Sequence, residues 1–147
     1  MTLYPMTVLT LVLLSSSALA SSVTNHKSPH CGCCGDWSKH MQANGFTVEE
    51  QLHDNMLTIK QSLGIQPNIA SCHTAEIDGF VFEGHVPAAD IQAFLANPPK
   101  GARGLAVPGM PLGSPGMEHN GIKHDYVVYM FDQQGNMTEY NRYEGNQ

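Results

Sequence analysis

The chain has 147 residues, a formal net charge of −6 and an apolar content of 41%. That length suits one domain, and that apolar content can bury a core without disulfide staples. The negative charge and the lack of a basic run argue against nucleic acid and anionic membrane surfaces as partners. Eight histidines and eight methionines lean toward metal chemistry, although Met also fills cores and His also sits on surfaces.

The N-terminus reads "TVLTLVLL" and then "SSSALA". The apolar run is too short to span a bilayer comfortably, and Ala18-Leu19-Ala20 has the small-x-small pattern that precedes leader cleavage. Residues 1–20 are therefore expected to be a signal peptide, and 21–147 the exported domain. No Lys or Arg precedes the run, a departure from the usual leader. The alternative is a retained anchor, through which alone the chain would meet a membrane.

A short strand is expected around Val23, stopped by Pro29. Helical text follows from Gly35, with Trp37 and Met41 four apart and Asn44-Gly45 as the stop. Phe46, Val48, Glu50 and Leu52 alternate as in a strand. Asp54 is placed to cap a second helix carrying Met56, Ile59, Lys60 and Leu63. "HTAEI-DG-FVFEG" predicts a hairpin with Asp78-Gly79 at its tip. Pro87 opens a third helix with Ile91, Phe94 and Leu95 on one face. Residues 98–124 are loaded with Pro and Gly and read as one long loop, of a length that is usually functional or disordered. Two strands, "DYVVYMFD" and "GNMTEYNRY", close the chain as a hairpin joined by Gln133–Asn136. The order strand, helix, strand, helix, hairpin, helix predicts an α/β, thioredoxin-like domain with a loop insertion and a C-terminal β-hairpin.

"HCGCCGDW" puts Cys31, Cys33 and Cys34 at the start of the first helix. Unpaired N–H groups and the helix dipole favour thiolate there. Cys31 and Cys34 have CxxC spacing and are the redox candidates. They should pair most readily, because a bridge between the adjacent Cys33 and Cys34 strains the backbone. Export to an oxidising compartment adds weight to that chemistry. A third thiol, however, can scramble a two-cysteine exchange. For a soft cation it is an asset, since crowded thiolates repel one another unless a cation sits among them. Cu(I) suits such a site. Zn(II) would want four closed tetrahedral ligands. Metal-free thiol exchange and a zinc-stabilised binding module are the alternatives. The pattern suits a metal-binding protein better than an enzyme, and an oxidoreductase is the enzyme class it allows.

Cys72 precedes the predicted hairpin, a position that lies against CxxC in thioredoxin-like folds. It reads either as the fourth sulfur or as a core cysteine. His30 and His73 flank cysteines and read as ligands or tuners. His85 lies between a strand and a helix and reads equally as ligand or turn residue. His40 lies far around the helix from Cys34 and reads as a surface residue, and His26, His53, His119 and His124 carry no functional signal. Met110 and Met117 offer thioethers in the Pro/Gly stretch, either as Cu(I) ligands or as packing on its underside.

The segments "SPHCGCCGDWSKHMQANGF", "SCHTAEIDGFVFEGHVPAADI" and "GLAVPGMPLGSPGME", in that order, resemble the CopG-like periplasmic copper-binding proteins. The resemblance runs from about Lys27 to Tyr143. It implies a thioredoxin-like fold, a periplasmic location, a role in copper resistance, and a copper site on Cys31, Cys33, Cys34 and Cys72. Copper, as one Cu(I) ion or more, is the expected cargo, and other exported copper-handling proteins are the expected partners.

Overall fold

The structure is a computed structural model and describes residues 21–146. The expected leader lies outside the described residues. Ten elements follow one another: β1 (Ser22–Lys27), α1 (Gly32–Ala43), β2 (Thr47–Leu52), α2 (Met56–Ser62), β3 (Thr74–Ile77), β4 (Phe80–Glu83), α3 (Ala88–Ala96), β5 (Ala102–Ala106), β6 (Tyr126–Asp132) and β7 (Met137–Tyr143). The strands form one sheet in the order β2-β1-β3-β4-β5-β6-β7. β1 runs parallel to β2, and β3 is antiparallel to both of its neighbours, β1 and β4. The fold is α/β, and this half of the sheet is compatible with a thioredoxin-like arrangement. β5 joins β4 in parallel after the α3 crossover, and β6 and β7 extend the sheet as the expected hairpin.

Two expectations need correction. Residues 98–124 are not a single loop, because β5 lies within them. Its signal was obscured by Gly104, which the structure requires: a Cβ there would collide with the Val81 carbonyl. The remainder is pinned by backbone hydrogen bonds, including Gly113 N–H to Met117 O (3.0 Å) and His124 N–H to Leu112 O (2.9 Å). The cap of α2 is Asn55, whose side chain accepts from the N–H groups of Leu57 and Thr58, rather than Asp54.

The hairpin tip is as expected. Asp78 and Gly79 have φ of 50° and 82°, the pair of positive values that a tight two-residue turn demands. α1 and α3 supply the main core. Trp37 and Met41, one turn apart, are fully buried with Ile91 and Phe94 against Val23, Ile77, Phe82, Leu105 and Val128. The Phe94 ring meets Phe80 and Phe82 edge-on at 5.0 and 5.6 Å. Trp37 donates its indole N–H to the Val86 carbonyl at 2.9 Å. That bond ties α1 to the segment leading into α3. A smaller cluster gathers Ile65 and Ile69 against Val81, Ala106 and Phe131. Each large side chain so buried contributes about 1.5–3 kcal/mol, and the Trp37 ring also meets the ring of His73, just before β3, with centroids 4.6 Å apart.

Candidate metal centre

Cys31 is the N-cap of α1, and Cys33 and Cys34 lie in its first turn. Asn25 on β1 holds that turn from beneath, donating to the Cys34 carbonyl at 3.3 Å and to Ser38 Oγ at 3.0 Å. Cys31 and Cys34 form a disulfide with Cα atoms 5.4 Å apart, while Cys33 and Cys72 are free thiols. Cys33 Sγ lies 3.6 Å from Cys31 Sγ. Cys72 comes from the turn before β3 and completes the group, in which all four sulfurs lie within 4.8 Å of one another.

The Cys72 turn is anchored by a residue with no functional signal in the sequence. Glu83, at the end of β4, is fully buried. Its carboxylate accepts from the Ser71 backbone N–H at 2.7 Å, from the Thr74 hydroxyl at 2.6 Å and from the Lys60 ammonium. Burial pushes the Glu83 carboxyl up, and the Lys60 charge opposes it. Gly84 then lets the chain pass tightly beneath the turn, since a Cβ there would meet Ser71 and the Val107 carbonyl at 2.6 Å.

A second group shares Cys72: its sulfur and ring nitrogens of His73 and His85 also lie within 4.8 Å of one another. The Nδ1 of His85 is 2.7 Å from the Pro115 carbonyl, and its Nε2 is 2.9 Å from Cys72 Sγ. A carbonyl only accepts, so Nδ1 carries the proton. Burial holds His85 below the usual imidazole range. The neutral ring therefore directs its Nε2 lone pair at the Cys72 sulfur. His73 is wholly buried between Trp37 and His85, with ring centroids 4.6 and 4.9 Å away. Its Nδ1 lies 3.4 Å from Cys72 Sγ, and its Nε2 has no partner among the described residues. Burial, with lesser contributions from His85 and the nearby lysines, drives its pKa well below the usual value. The Cys72 thiol is pushed up to about 12, first by burial and then by Cys33. Without metal it holds its proton, which a thiophilic cation must displace.

The remaining candidates divide. His30 is exposed and stands outside both groups. Met110 is exposed, and Met117 is half-buried. The neighbouring Gly116 seats the Pro/Gly segment on α1, where a Cβ would come within 2.7 Å of the Cys33 carbonyl and the Trp37 amide nitrogen. His40 is not a free surface residue. Its Nε2 accepts the Ala88 N–H at 3.0 Å and caps α3, a role that the Pro87 cap residue has no side-chain donor or acceptor to fill. His26 bridges His53 and Glu76, with nitrogen–nitrogen and nitrogen–oxygen distances both 2.9 Å.

Fold and site together define a small α/β domain that gathers four cysteines and two histidines where the start of α1 meets the turn before β3. Two solved structures are similar to it, "Copper resistance protein copG- Form 2" and "Copper resistance protein copG- Form 1". Each is 41% identical with a TM-score of 0.81; the alignments cover 85% and 86% of this chain and 99% and 100% of those chains. Residues 69–117 match the family described as "Protein of unknown function, DUF411". No curated protein matches the chain. The chain belongs to the CopG family.

Proposed function

We propose that this protein is an exported, periplasmic copper-resistance protein that sequesters Cu(I) or hands it on through Cys31, Cys33, Cys34 and Cys72. The observation that carries the reading is the convergence of four sulfurs within 4.8 Å from two separate segments. The donors are thiolates with imidazoles beside them and no carboxylate in either group, a soft set that favours Cu(I) over hard cations. Four thiolates bring more negative charge than one Cu(I) neutralises, and Cys72 belongs to two donor groups. Both features suit more than one ion with bridging sulfur. The copper-resistance names of the similar structures agree with this reading. The leader-like residues 1–20 support export, and other exported copper-handling proteins are the partners such a role needs.

Thiol redox is coupled to the metal in this account. The Cys31–Cys34 disulfide removes two of the four sulfur ligands, so oxidation weakens the hold on copper and reduction restores it. The same disulfide supports a second reading, a thiol–disulfide oxidoreductase acting on proteins or on copper. Insulin reduction by the Cys31–Cys34 pair separates the two, and Cys72→Ser tests the copper reading itself. In the copper reading the variant folds normally, and its copper stoichiometry or affinity falls. Unchanged copper binding with an unchanged circular dichroism spectrum would return Cys72 to a packing role.

A further inference from the structure

With Cys31 and Cys34 paired, the two remaining thiols are Cys33 and Cys72, and both are partly exposed. Their sulfurs lie within 4.8 Å of one another. They are carried by different segments, so no adjacent-residue strain opposes a bond between them, as it would between Cys33 and Cys34. We infer that Cys33 and Cys72 form a second disulfide, and that this structure is the halfway state of a four-electron thiol couple.

The geometry permits the step. A disulfide holds its sulfurs about 2.05 Å apart, so closing the gap takes a movement of less than about 3 Å. Rotation about the two χ1 angles moves the sulfurs while the backbone stays in place. The backbone on both sides is held: Cys33 lies in the first turn of α1, and the Cys72 turn is clamped through Ser71 by Glu83. Cys72 leaves its contact with His85 Nε2 as it turns.

The balance is simple. Each dithiol gives up two electrons and two protons as its S–S bond forms. A two-electron acceptor such as a diazene dicarboxamide takes one pair, and two Cu(II) ions become two Cu(I) ions with the same pair. The complete couple therefore reduces four Cu(II). It also leaves no thiolate on the protein, so the newly formed Cu(I) loses its sulfur ligands and is free to pass on. This consequence rests on the copper reading; the second disulfide does not.

The test is made on the metal-free, fully reduced chain, treated with diamide and examined as an intact protein by mass spectrometry. The wild type should lose about 4 Da, about 2 Da for each disulfide formed. Cys33→Ser and Cys72→Ser should each lose about 2 Da. The double variant Cys31→Ser/Cys34→Ser is decisive: it should lose about 2 Da while remaining a monomer on a non-reducing gel. A circular dichroism spectrum like that of the wild type establishes that it is folded. A wild type that stops at a loss of about 2 Da with two alkylatable thiols would overturn the inference. So would a double variant that stays reduced or cross-links between molecules. Adding Cu(II) in place of diamide and counting the Cu(I) formed tests the copper consequence separately. Two disulfides with diamide but no Cu(I) from Cu(II) would leave the second disulfide standing and remove the reduction of copper by this couple, while the Cu(I)-binding reading is decided by metal competition.

Discussion

Nε2 of His85 lies 2.9 Å from the sulfur of Cys72, and the Pro115 carbonyl fixes the ring from its other side at 2.7 Å. The turn before β3 and the turn after β4 thus meet at one sulfur, and the Pro/Gly segment braces the second of them through the far side of the His85 ring. The carbonyl sets the tautomer that keeps a lone pair on the cysteine side, and outer partners of this kind orient metal ligands.

The first prediction follows from that contact. His85→Gln should lower Cu(I) affinity by about ten- to a hundred-fold, the range found when groups supporting a metal site are lost. Competition with a Cu(I) chelator measures it under reducing conditions. Affinity equal to the wild type would make His85 a turn residue that touches Cys72 without serving copper.

Glu83 gives a stability prediction. Lys60 is 12% exposed at its side chain and Glu83 is 0%, so removing one partner strands the other in a poorly hydrated place. Glu83→Ala should cost about 3–5 kcal/mol, whereas Lys60→Met/Glu83→Leu should recover only the part due to the stranded charge, because the Ser71 N–H and the Thr74 hydroxyl still lack their acceptor. Urea unfolding decides the matter. A single variant within about 1 kcal/mol of the wild type would show that the carboxylate does not anchor the Cys72 turn.

His40 gives a pH prediction. Burial holds its pKa below the ordinary imidazole value of 6.5, while Glu118 opposes the shift. The folded state therefore binds fewer protons than the unfolded state. The stabilisation is fully present above 6.5 and is lost as pH falls from there toward the depressed folded value. Protonation also removes the acceptor that caps α3. Buried His73 and His85 contribute with the same sign. His40→Gln keeps an acceptor for Ala88 but does not titrate, so its urea midpoint should fall less than that of the wild type between about pH 7.5 and 5.5. Parallel pH profiles would contradict the assignment.

The sequence made half of this site legible. Cys31, Cys33 and Cys34 are nearly adjacent in the chain, so local spacing at a helix start places them together. Cys72 was reachable only through element order, which sets the turn before the hairpin against that helix start. His85 was ambiguous because its role depends on a carbonyl thirty positions away, at Pro115. Glu83 gave no sign, because a carboxylate that accepts from a distant backbone N–H leaves no pattern in its own neighbourhood. His40 was read from its angle around α1 relative to Cys34, which says nothing of α3 packing against it. β5 was missed for a compositional reason: the glycine that lets it approach Val81 also made its segment read as loop.

The most direct test is anaerobic metal competition on the fully reduced chain, with Cu(I) and Zn(II) offered together against a chelator and the bound metal counted. The account predicts that copper is retained, that zinc is displaced, and that prior oxidation of the cysteines abolishes the binding. Retention of zinc with loss of copper would contradict it, as would equal copper binding by the oxidised and reduced protein.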